Sequence, residues 1–154
     1  MKSYLSTLII VLAFSSCLNS ETPIEEPIDY DALNEIEIQD YITENNLNPE
    51  KSDSGLYYIL KEEGVGVSPT TTSNVTVYYK GYTTDGVVFD ESTADGTNFN
   101  LNGLITGFSE GITYLKEGGE ATLIIPSKIG YPYYVYSSFA GKVVIFDVKL
   151  LTIN

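Results

Sequence analysis

In the stretch VYYKGYTTDGVVFD, residues 77–90, an aromatic side chain is followed at once by an acid, Phe89 then Asp90, where the chain leaves a hairpin. The pair is either packing or chemistry. An aspartate set against a phenylalanine ring is costly to bury without a partner, so it either faces solvent or accepts a hydrogen bond. The chain contains no His, which removes Ser-His-Asp and Cys-His nucleophilic systems together with the commonest zinc ligand. Any chemistry at Asp90 therefore runs without an imidazole. The acids from Asp90 to Asp95, closed by Gly96, lack the alternating spacing of a calcium loop and read as a solvated turn. No metal site is expected.

The elements that would position this pair come from the rest of the chain. Its 154 residues carry 21 acidic and 8 basic side chains, the latter all lysine, for a net charge of −13. That balance argues against nucleic acid or an anionic lipid surface as the partner, and the length suits one principal domain. Residues 1–16, MKSYLSTLIIVLAFSS, join a lysine-bearing start to an apolar run too short to span a bilayer, the pattern of an export signal. Phe14-Ser15-Ser16-Cys17 resembles a bacterial lipobox, which implies lipidation of Cys17 and a membrane anchor in the cell envelope, in the outer membrane or periplasm. A single cysteine leaves no disulfide to form.

Residues 17–30 are acidic and proline-bearing and read as a linker. Over 31–54, Leu33, Ile36, Tyr41 and Ile42 fall at helical spacing before a stop at Asn45-Asn46 and Pro49, so a short amphipathic helix and a connector are expected, serving as docking or spacer. From 55 to 154 the period shortens, predicting strands over 55–61, 75–82, 98–101, 120–125 and 143–152. Apolar positions 108, 112 and 115 predict a helix over 108–116, closed by Gly118-Gly119. Strands in series with one helix among them predict an α+β fold, an antiparallel β-sheet wrapped on a short helix.

Several motifs then fall in order along that sheet. They are Val75-x-Val77-x-Tyr79-x-Gly81-x-x-x-Asp85-Gly86-x-x-Phe89-Asp90; Leu104-Ile105-x-Gly107-Phe108-x-Glu110-Gly111-Ile112; Ile125-Pro126-Ser127; Gly130-Tyr131; and Val144-x-Phe146-Asp147-Val148-x-Leu150-Leu151. Together they resemble an FKBP-type peptidyl-prolyl cis-trans isomerase, from about Gly55 to Thr152. The resemblance implies a twisted antiparallel sheet curled around one short helix, with a pocket between them for a prolyl residue. Its walls would be Tyr79, Phe89, Leu104 and Phe146, with Phe108 as the floor. The Ile105 N–H and the Tyr131 hydroxyl would hold substrate carbonyls, and Asp90, with Tyr79 expected as its hydrogen-bond donor, would sit beside the rotating amide.

The implied reaction suits a chain without imidazole. Rotating a peptide bond costs about 18–20 kcal/mol because resonance is lost, yet no bond is made or broken. A twisted amide has less charge separation than a planar one, so a dry aromatic cleft penalises it less; walls and a few aimed dipoles suffice. The expected partners are proline-containing polypeptides, the expected state is a monomer, and no cofactor is required.

Three departures and two rival readings accompany the resemblance. Phe108 stands where the family most often has Trp, Thr97 where many members have an aromatic or apolar residue, and the connection from Pro132 to Gly141 lacks the family's usual glycine- and proline-rich composition, all of which bears on substrate and macrolide fit. One rival is an FKBP fold kept as a non-catalytic chaperone or peptide-binding module. The other is a glycan-binding surface built on Tyr133, Tyr134 and Tyr136 in the run Tyr131-Pro132-Tyr133-Tyr134-Val135-Tyr136, which otherwise reads as a flap over the pocket.

Overall fold

The structure, a computed structural model, describes residues 28–154. The export signal, Cys17 and most of the linker lie outside the described residues. A 15-residue helix, α1, spans Tyr30–Glu44 and so begins at the last residue of the expected linker. Asp29 caps it, its carboxylate accepting from the Ala32 N–H at 3.0 Å. The helix stops at Asn45, and Asn46 follows with φ of 51°, a left-handed conformation that asparagine tolerates better than most residues.

The strands are β1 (Glu50–Lys51), β2 (Tyr57–Glu62), β3 (Asn74–Thr83), β4 (Val88–Glu91), β5 (Thr97–Asn100), β6 (Glu120–Ile125) and β7 (Val144–Ile153). They form one antiparallel sheet in the order β1-β2-β6-β7-β3-β4, with β5 also paired to β3. The α+β architecture expected of the sequence is present. One edge of β3 serves two strands in turn: Asn74 to Val77 pair with β5, and Lys80 to Tyr82 pair with β4.

Helix α2, Thr106–Thr113, lies in the concave face of the sheet. It starts two residues before and ends three before the expected 108–116, so Leu115 is buried after the helix rather than within it. Phe108, Ile112 and Leu115 pack there with Val77, Leu123, Ile125, Val144 and Phe146, the inward residues of three neighbouring strands.

Helix α1 covers part of the opposite face. Ile38, with Tyr41 and Ile42 partly buried, meets Tyr57, Ile124, Val143 and Ile145; burying Ile38 alone is worth roughly 2 kcal/mol. The expected apolar face is turned. Leu33 and Ile36 are 52% and 60% exposed, while Asn34 is 3% exposed. Residues 38, 41 and 42 make the stripe that meets the sheet, and Asn34, one turn earlier on the same line, is buried with both polar atoms of its amide hydrogen-bonded, as described below.

Candidate active site

The short strand β4 was not expected, and it explains why Phe89 and Asp90 are neighbours. Gly81 pairs with Asp90 but Tyr82 pairs with Val88, so Phe89 is the extra residue of a β-bulge. In a regular strand adjacent side chains point to opposite faces. The bulge removes that alternation. Asp90 follows its partner Gly81 onto the concave face, and Phe89 stays on the same side: a Cβ at Gly81 would lie 2.7 Å from Phe146 and 2.9 Å from Phe89. Glycine is required there because two rings close over the backbone.

An open cleft of about 310 Å³ lies between the sheet and α2, lined by Tyr79, Asp90, Phe99, Gly103, Leu104, Ile105, Phe108, Tyr131 and Phe146. β3 supplies Tyr79 and β7 supplies Phe146; Leu104 and Ile105 lead into α2, whose first turn carries Phe108. Phe108 is only 4% exposed yet faces the cleft, as a floor does. Its ring stands edge-on to Phe146 at 5.1 Å and 83°, and to Tyr79 at 6.2 Å and 87°. These perpendicular contacts suit the quadrupoles of the rings and fix the floor.

Seven of the eight pocket residues expected from the sequence line this cleft. Phe89 does not. It packs behind the wall, edge-on to Phe146 at 5.6 Å and against Phe139 at 4.4 Å. The bulge sets Phe89 beside its neighbour's wall, where it holds Phe146 rather than facing the opening. Phe99 was not anticipated as a lining residue, although it lies within a strand that was. It pairs with Val75 and shares the inward face with Thr97, so its ring stands two residues from the position where Thr97 lacks one.

Three polar groups converge on the aromatic cleft. Asp90 is exposed and accepts a hydrogen bond from the Tyr79 hydroxyl at 2.8 Å, the donor expected of it. Burial first, and that bond second, push the Tyr79 phenol up to about 12. Burial, and then the charge of Asp90, raise the Tyr131 phenol, and its hydroxyl has no acceptor among the described residues. Ile105, the residue before α2, has an extended backbone (φ −60°, ψ 140°); its carbonyl accepts from Phe108 and Ser109, and no acceptor among the described residues takes its N–H. Such groups can hold two carbonyls and place one carboxylate beside them. Among the described residues no group of three or more His, Cys, Asp or Glu is placed to hold a metal ion.

The Tyr-rich run lies beside the cleft. Tyr134 and Tyr136 are exposed, but Tyr133 is stacked on Tyr30 at 5.1 Å with 5° between planes, so one of its faces is covered.

A curled antiparallel sheet, one helix and an aromatic cleft with a few convergent polar groups define a binding domain for a small apolar group presented with its carbonyls. The chain belongs to the FKBP-type peptidyl-prolyl cis-trans isomerase family, whose model matches residues 66–151. It is 44% identical over 105 residues to a probable FKBP-type peptidyl-prolyl cis-trans isomerase FkpA of Neisseria meningitidis serogroup B, covering 66% of this chain and 39% of that protein. It is 36% identical over 106 residues to FkpA of Escherichia coli strain K12, covering 67% and 39%. The chain thus spans about two fifths of the length of these relatives. The crystal structure of Escherichia coli FkpA superimposes with a TM-score of 0.71 at 32% identity, covering 80% of this chain and 60% of that one. A peptidyl-prolyl cis-trans isomerase from Pseudomonas syringae shares the fold, with a TM-score of 0.69 at 22% identity, covering 84% of this chain and 98% of that one.

Proposed function

We propose that this chain is a peptidyl-prolyl cis-trans isomerase acting on X-Pro bonds of exported proteins as they fold. The observation that carries the reading is the open aromatic cleft in which Asp90, oriented by Tyr79, stands with a Tyr131 hydroxyl and an Ile105 N–H that have no acceptor among the described residues. In this reading a proline ring rests on Phe108 between Tyr79, Phe99 and Phe146, with Leu104 at the rim. The Ile105 N–H and the Tyr131 hydroxyl fix the flanking carbonyls, so that the chain on one side of the amide is held while the other turns.

Rotation strips the amide of resonance and leaves a more localised carbonyl and a more pyramidal nitrogen. The apolar rings disfavour the charge-separated planar form, and the Asp90 carboxylate orients the turning dipole. No proton transfer to the protein is needed. Uncatalysed X-Pro isomerisation takes about 10–100 s, so even a modest fall in the barrier is useful to a folding chain. The export pattern of residues 1–16 and the lipobox-like Cys17 support placement in the cell envelope, held to a membrane by a lipid on Cys17.

A direct isomerisation assay on a proline tetrapeptide tests the reading. The parent protein should accelerate the cis-to-trans step, and an Asp90→Ala, Tyr131→Phe double variant should be at least tenfold slower. If the parent runs no faster than that variant, the protein is a non-catalytic binder and the proposal is wrong.

A further inference from the structure

The segment that carries Tyr131 leaves β6 through a short 3-10 turn at Ser127–Ile129 and returns at Gly141, just before β7. Both of its ends are tied to one side chain of α1. The Asn34 carboxamide accepts from the Ser127 N–H at 2.7 Å and donates to the Gly141 carbonyl at 3.0 Å, and all of this is buried. Gly141 in turn donates its N–H to the Tyr131 carbonyl at 2.9 Å. Two hydrogen bonds therefore separate α1 from the tyrosine in the cleft.

The start of α1 adds a second brace. The Tyr30 ring lies against Gly141, where φ is 77° and a Cβ would overlap the ring, and the same ring stacks on Tyr133. Inside the flap, Phe139 touches both Tyr131 at 5.6 Å and Phe89 at 4.4 Å, so a shift of this segment would reach the wall as well as the hydroxyl.

Asn34 stands one turn before Ile38, on the line of the apolar stripe by which α1 meets the sheet. An apolar residue would serve docking at that position at least as well. A buried amide is kept harmless only by complete pairing, and when paired it specifies a single geometry. Both of its partners belong to the two ends of the flap and neither to the sheet strands.

We propose that Asn34, supported by Tyr30, is a positioning residue for the isomerase site: it clamps both ends of the 127–141 segment and so sets where Tyr131 stands over the cleft. This rests on the functional reading above. Helix α1 thereby contributes to the activity without touching substrate.

The test is a double-mutant cycle on the full chain with a proline tetrapeptide, below the unfolding range of every variant. Asn34→Leu, which fills the site without the amide, should lower kcat/KM about three- to tenfold, chiefly through KM, and on a Tyr131→Phe background the same change should cost less than about twofold. Hydrogen exchange at the Gly141 N–H should quicken while β6 and β7 amides stay protected. Leu33→Ser, exposed on the same helix, should leave kcat/KM unchanged. Equal losses in both backgrounds, or none in the parent background, overturn the proposal. If Asn34→Leu does not fold, Tyr30→Ala goes through the same cycle and the same outcomes decide. A parent protein without isomerase activity refutes the functional reading instead, and unaltered Gly141 exchange in Asn34→Leu would then refute the clamp separately.

Discussion

Two of the three tyrosines of β3, Tyr79 and Tyr82, lie on opposite faces of the sheet, and each donates to an aspartate. On the concave face Tyr79 donates to Asp90 at 2.8 Å; on the outer face Tyr82 donates to Asp147 at 3.1 Å. The acids differ in what else they hold. Asp147 also accepts from Thr122 at 2.6 Å and from Lys61 at 2.9 Å, so three donors from three strands converge on it. Burial pushes its carboxyl up, but Thr122, Lys61 and Tyr82 together more than offset that and leave it below the usual carboxylate range. Among the described residues Asp90 has one side-chain donor and no lysine in contact, and it stands open at an aromatic cleft. A saturated acid fastens strands together, whereas an acid with free lone pairs beside a cleft is available to a ligand. In the proposed reading the same kind of residue pair serves the fold on one face and the site on the other.

Replacement of the two acids is the sharpest way to break that comparison. Asp147→Ala leaves a buried threonine hydroxyl, the Tyr82 phenol and Lys61 without their acceptor, and should cost about 2 kcal/mol of stability. Denaturant unfolding measures that loss, and kcat/KM at a temperature where the variant is folded should stay within about twofold of the parent. Asp90→Ala should do the reverse, losing at least about tenfold in kcat/KM, near 1.4 kcal/mol of barrier, with stability changed by less than about 1 kcal/mol. If Asp90→Ala unfolds the protein and Asp147→Ala abolishes activity, the assignment of the faces is inverted. The tyrosines refine the contrast at smaller scale. Tyr82→Phe should cost about 1 kcal/mol of stability with activity intact, whereas Tyr79→Phe should mainly slow the isomerisation, by about threefold.

The outer pair was hidden from sequence reasoning and the inner pair was not. Tyr79 and Asp90 lie in one local motif, and an acid beside Phe89 called for a donor. The partners of Asp147 are scattered over β2, β3 and β6, and only the sheet brings them together. Long strands were legible because burial alternates along them, as in β3, where Val75, Val77, Tyr79 and Gly81 are all buried. β4 was not, since its four residues carry a bulge and an exposed Val88, which together erase the period of two. The face of α1 was misread for a related reason: Leu33 and Ile36 look like core, yet Asn34 is the buried residue because its amide meets a loop 107 positions away. Nothing local records such a partner. Most wall positions were legible through the ordered motifs, while Phe99 required the register of β5 against β3 to show which way it faces.

Acid should separate the outer acid from its neutral analogue. The carboxyl of Asp147 is depressed in the fold, so its contribution is fully present above the ordinary aspartate value of about 3.9 and is lost as pH falls through the lower folded value. Unfolding free energies of the parent and Asp147→Asn should therefore differ by a constant amount from about pH 5 upward and converge as the pH falls through the depressed folded value. A gap that persists in acid would mean that hydrogen-bond geometry alone, and not the charge, fastens these strands.

The smallest expected effect concerns the rate itself. A cleft that works by walls and fixed dipoles has no general acid or base whose titration should appear in the kinetics. The phenol of Tyr79 is held up at about 12 and that of Tyr131 is also raised, so neither ionises near neutrality. The chain has no His to titrate there. Between pH 6 and 9 kcat/KM should therefore stay within about twofold, whereas proton-transfer catalysis gives a bell. A bell with a limb in this range would show that a pocket group passes a proton during turnover, and fixed walls and dipoles would then not account for the rate.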